Sequence, residues 1–178
     1  MRFGLSPDQS DKDGGTHMLH PAISWGLGGL FAAVFAIAVM AILKGDYLAR
    51  GHALSAQENN TITICTITAA LTFLICWRLQ TYAAARNVII RAAYGLAMLI
   101  IVFGAVGGVL VIVHNYVSYA PEFEAGKGLL FKGYYWESVS GFYSFALFML
   151  SALSPSLLAL FAAGGLTLAL AGPRRKVR

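Results

Sequence analysis

The stretch AAYGLAMLIIVFGAVGGVLVIVH, residues 92–114, decides the fold. Its first 22 residues, Ala92–Val113, carry no charge, and the run closes on a polar tip, His114-Asn115-Tyr116. At 1.5 Å per helical residue the uncharged part reaches about 33 Å, enough for a hydrocarbon core of roughly 30 Å. Within it Gly104 and Gly108 stand four residues apart. That small-xxx-small spacing lets a second helix backbone come close, and it marks a packing ridge.

Three more apolar runs follow the same logic. The first, Pro21–Leu43, opens on a proline suited to a first helical turn and carries Trp25 where an interfacial aromatic would anchor. Gly28, Gly29, Ala32, Ala33 and Ala36 give it a small-residue face. At over 20 residues it is too long for the apolar region of a signal peptide, so it reads as a retained span. The second begins near Thr61 and stays apolar to Trp77, at the short limit for crossing, with Arg78 snorkelling to the interface. Thr61, Thr68 and Thr72 share roughly one of its faces. A threonine there bonds back to its own i−4 carbonyl, or contacts a neighbouring helix, or lines a polar path. The last run, Ser138–Gly172, has 35 uncharged residues, about 52 Å as one straight helix, so a break is expected. Pro155 is the predicted kink, and Gly172-Pro173 the stop.

The predicted architecture is an all-α integral membrane protein with four transmembrane helices in an up-down bundle, the last one long and kinked at Pro155. Residues 1–20 form a polar tail, residues 21–172 the single membrane domain, and residues 173–178 a basic tail. Composition agrees. The chain has 178 residues, of which 58% are hydrophobic and 12% charged, against about 25% charged in ordinary soluble domains. The mean hydropathy is +0.68. The net charge of +5 reflects basic residues that flank apolar runs, which makes them topology signals and not a nucleic-acid surface. Nine Lys and Arg fall on the side holding both termini and four on the other. The positive-inside rule therefore places both termini in the cytoplasm, of a bacterial inner membrane by composition and loop size.

The loop predicted at Ser118–Glu137 is rich in aromatics. Tyr119, Phe123, Phe131, Tyr134, Tyr135 and Trp136 are candidate partner-docking residues, because Tyr and Trp anchor interfaces, or else they form an interfacial belt. Gly28, Gly29, Gly104 and Gly108 are the candidate helix-packing residues. Catalytic candidates are missing. The predicted spans hold no Asp or Glu in their interiors, the usual relay of a proton-coupled carrier. The four histidines, His17, His20, His52 and His114, show no haem-ligating arrangement. Cys65 and Cys76 stand 11 residues apart, about 16 Å on one helix, too far to pair. Neither Gly-x-Ser-x-Gly, His-Glu-x-x-His nor a Gly-Lys-Ser/Thr phosphate loop occurs. No cofactor and no metal is expected.

These features favour a non-catalytic integral membrane subunit, or an accessory or assembly protein of a larger secretion, conjugation or energy-transducing complex. Its expected partners are the lipid bilayer and other membrane subunits or copies of itself. Two readings from other classes stand beside it: a small oligomeric channel or facilitative transporter, and a membrane-bound redox or lipid-modifying enzyme.

Overall fold

The computed structural model describes residues 21–49, 51, 53–83, 87–124, 140–143 and 155–173. They form four long helices: α1 (Pro21–Ala49), α2 (Ala56–Leu79), α3 (Val88–Glu124) and α4 (Pro155–Ala171). A single 3-10 turn, Gln80–Tyr82, extends α2, and residues 140–143 are helical. There is no strand among the described residues. Three helical segments are long and apolar enough to cross a membrane: Ala22–Ala49, Glu58–Tyr82 and Val88–His114. α4, with 17 residues, is shorter.

Local chemistry sets the helix ends. Gly51 adopts a left-handed φ of 75°, and its N–H bonds the Leu48 carbonyl at 3.0 Å, which closes α1. Four residues on, Ser55 and Glu58 form a capping box that starts α2. The Glu58 N–H donates to Ser55 Oγ at 3.2 Å, and the Ser55 N–H donates to Glu58 Oε2 at 2.7 Å. Asn87 starts α3 in the same way, its Oδ1 accepting the Ile89 N–H at 2.8 Å.

Several element boundaries move from their predicted places. α1 runs six residues past Leu43, so Lys44 and Asp46 are helical. One carboxylate oxygen of Asp46 is buried with no partner among the described residues, so the α1 span is not free of acid along its whole length. α2 starts five residues before Thr61. α3 continues through Tyr119 and Phe123, which are helical and not loop residues. Once a cap supplies the orphan amides, polar residues join an apolar helix at little cost.

Each helix packs against the next in sequence, and α1 also meets α4. α1 runs antiparallel to α2, and α3 to α4. On α1 and α2, Phe31 meets Trp77 and Phe35 meets Phe73. On α3 and α4, Gly95 meets Gly165 while Phe103 meets Phe161. The interior is a continuous run of rings. Its centroid separations are Phe31–Trp77 5.8 Å, Trp77–Phe73 6.5 Å, Phe73–Phe35 5.2 Å, Phe35–Phe161 5.3 Å, Phe161–Phe103 5.3 Å and Phe103–Phe142 5.8 Å. Such pairs add about 0.5–1.5 kcal/mol each beyond their burial.

The ring run also corrects the last helix. Phe142 and Phe161 both touch Phe103. Along one straight helix they would lie about 28 Å apart. Residues 140–143 and α4 therefore sit side by side on α3 and are not two halves of one long helix. Pro155 is the first described residue of α4.

α3 and α4 approach most closely where glycines meet. A Cβ on Gly165 would lie 2.9 Å from both the Ala92 carbonyl oxygen and the Leu96 nitrogen, and one on Gly95 would lie 3.0 Å from the Gly165 oxygen. Backbone on the other side cannot rotate away, so a side chain here forces the helices apart. Gly165→Val is expected to destabilise the protein by about 1–3 kcal/mol, read as a lowered unfolding midpoint in detergent. Gly29→Val, with open space around its Cβ, is expected to leave that midpoint unchanged.

Candidate functional site

Among the described residues, three groupings of polar side chains bear on function. The first is the inward face of α2. Thr68 and Thr72 are fully buried, as are Cys65 and Cys76, both free thiols, while Thr61 is half-buried. The hydroxyls turn back into their own helix. Thr63 Oγ1 donates to the Asn59 carbonyl at 2.8 Å, Thr66 to Ile62 at 2.7 Å and Thr68 to Ile64 at 2.7 Å. This is the i−4 arrangement that satisfies a hydroxyl without a partner helix or water. Thr72 Oγ1 differs, being buried with no hydrogen-bond partner among the described residues.

The second place is the bundle end where α2 stops, α3 starts and α4 stops. Gln80 and Arg91 are buried there, and Gln80 Nε2 donates to the Arg91 carbonyl at 3.3 Å. A Cβ on Gly172 would meet Gln80 Cγ at 2.9 Å, so the glycine that ends α4 also leaves room for this amide. Arg91, counted by sequence among the loop charges that set topology, lies in the first turn of α3 at 3% exposure. Trp77 is buried one turn before Gln80 against Gly28, whose Cβ would fall 2.9 Å from the ring. Its indole nitrogen has no partner among the described residues.

The third is a groove of about 310 Å³ between α2 and α3 at the opposite end. Asn60, Thr63, Ile64 and Ile67 line it from α2, and Leu110, Val113 and His114 from α3.

The candidate packing glycines divide. Gly28 holds the Trp77 ring, and Gly104 lies against the Tyr143 ring. Gly29 is half-buried and open, while Gly108 is buried. Sequence spacing missed Gly107, which lies against the Phe142 ring, and the Gly95/Gly164/Gly165 contact of α3 with α4. The Tyr143 hydroxyl then donates to the Ile101 carbonyl at 2.6 Å. Among the docking candidates, Phe131, Tyr134, Tyr135 and Trp136 lie outside the described residues. Tyr119 and Phe123 lie on the last turns of α3, where only the backbone is described. His17, His20 and His52 also lie outside them. Among the described residues no three His, Cys, Asp or Glu side chains gather as a metal site. Comparison of the chain with protein-family models, curated proteins and solved structures found no match.

The unpartnered Thr72 hydroxyl gives a clear test. Thr72→Val keeps the shape and removes a buried polar group, so it is expected to stabilise the protein by about 1 kcal/mol. Thr68→Val, which removes a satisfied hydroxyl, is expected to change stability little or to lower it. Thermal unfolding in one detergent separates the two. A loss on Thr72→Val would mean that this hydroxyl is bonded in the working protein.

Proposed function

We propose that the chain is a non-catalytic integral membrane subunit, or an accessory protein that anchors a larger assembly of the secretion, conjugation or energy-transducing kind in the bilayer. In this reading α4 is the fourth crossing of an up-down bundle. At 17 residues it meets the lower limit for a span. Both termini are cytoplasmic, as the basic residues require, and the membrane is a bacterial inner membrane.

The observation that carries this reading is the filled interior. The ring run occupies the space between the helices, and Thr68 and Thr72, on whose face a polar path would depend, are buried in it, the Thr68 hydroxyl turned back on its own helix. Among the described residues, a single copy with such an interior offers no water-filled route. What remains to act is the surface, including the aromatic segment between α3 and residues 140–143. Tyr134, Tyr135 and Trp136 in that segment are the proposed docking anchors, because amphipathic rings bind with little loss of conformational freedom.

The test is purification through a C-terminal tag in a gentle detergent, followed by a native gel and mass spectrometry. Other membrane proteins are expected to co-purify at fixed stoichiometry. Replacing Tyr134, Tyr135 and Trp136 by alanine is expected to release them while leaving the chain folded. A homo-oligomer with nothing else attached would overturn the reading in favour of a channel or facilitator, with solute flux in liposomes as the next assay.

A further inference from the structure

The groove between α2 and α3 is graded in polarity. Asn60, Thr63 and His114 stand at one end of it, and Ile64, Ile67, Leu110 and Val113 form the rest. The polar end sits where the apolar spans end, since Glu58 opens the α2 span and His114 closes the α3 span. The apolar part extends from there toward the membrane centre. Thr63, Ile67 and Val113 are exposed, so the groove opens on the outer face of the bundle. Among the described residues no Lys, Arg, Asp or Glu lines it.

We infer that this groove holds one acyl chain of a bilayer glycerolipid, with the ester carbonyls at its polar end. Size favours a slim occupant lying within the groove over a helix, which could only rest across it. A helix about 10 Å across fills roughly 420 Å³ per turn, more than the 310 Å³ present. A single hydrocarbon chain is slim enough to lie between two helices and touch both. Polarity fixes its direction. Ester carbonyls accept hydrogen bonds and lie at the edge of the hydrocarbon core, level with Asn60 and His114. The Asn60 amide presents N–H donors and the His114 ring at least one. The Thr63 hydroxyl already donates its hydrogen bond to the Asn59 carbonyl, so it offers only lone pairs. A charged headgroup would find no partner in the groove and stays outside it.

The test separates a held chain from the lipid that wets every outer surface. The full chain is reconstituted in phosphatidylcholine vesicles containing a little phosphatidylcholine with a diazirine partway along one acyl chain. After irradiation the labelled peptides are mapped. Labelling is expected to concentrate on residues 60–67 and 110–114, above that at the exposed Leu30 and Val34 of α1. Ile67→Trp fills the groove and is expected to lower its labelling about tenfold with α1 unchanged. Leu110→Trp does the same from the facing helix, which covers the case where one variant fails to fold. Replacing Asn60 and His114 together by alanine is expected to lower groove labelling about threefold, the loss of one weak hydrogen bond. Equal labelling of the groove and α1 would overturn the inference and leave annular lipid only. Displacement of the label by a few mole per cent of an isoprenoid benzoquinone would also overturn it, reassigning the groove to a quinone.

Discussion

Helices surrounded by lipid gain nothing from hiding apolar side chains from one another, because the acyl chains are as apolar as leucine. What holds this bundle together is contact distance. Gly165 brings α4 against the α3 backbone at Ala92 and Leu96, and Gly95 answers from the other side. Gly28, Gly104 and Gly107 repeat the device with a ring in place of a backbone, since each leaves a notch that Trp77, Tyr143 or Phe142 fills. Dispersion falls off so steeply with separation that these few positions decide how well everything beside them packs.

The ring run depends on that closeness. Phe161 reaches both Phe35 and Phe103 because α4 is pressed onto α3 at Gly164 and Gly165, one turn away. Rings from α1, α2, α3, α4 and residues 140–143 thus share one interior, and moving any helix outward would separate at least one pair. The same packing turns the Thr66 and Thr68 hydroxyls of α2 back on their own backbone and leaves that of Thr72 without a partner among the described residues. An interior so solid is a scaffold more than a conduit.

Membrane character was legible in the sequence because it depends on length and charge alone. The runs from Ala92, Pro21 and Thr61 needed no knowledge of neighbours. The back-bonded threonines were legible too, being an i−4 matter within one helix. Two local signals were passed over: Ser55-Ala-Gln-Glu58, which starts α2, and Gly51, which ends α1. The last apolar run was not legible. Nothing in 35 uncharged residues says where the chain leaves its axis, and only Phe142 and Phe161 meeting on Phe103 reveals it. Burial of Arg91 was hidden for a similar reason, since a basic residue beside a loop looks the same whether it faces headgroups or a neighbouring helix. Of the candidate docking surface, residues 131–136 rest on sequence alone.

The Tyr143 hydroxyl has a consequence for how the protein is made. Ile101, whose carbonyl accepts it, is the central residue of the Val88–His114 span. A phenolic proton at that depth has no water to bond, and leaving it unpaired costs several kcal/mol. Entry of Tyr143 into the bilayer is therefore favourable only once its acceptor is already there. Synthesis from the N-terminus delivers Ile101 42 residues earlier, with the Gly104 and Gly107 notches six residues or fewer behind it. The nascent chain thus meets a finished template, and the order of the sequence is also the order of assembly.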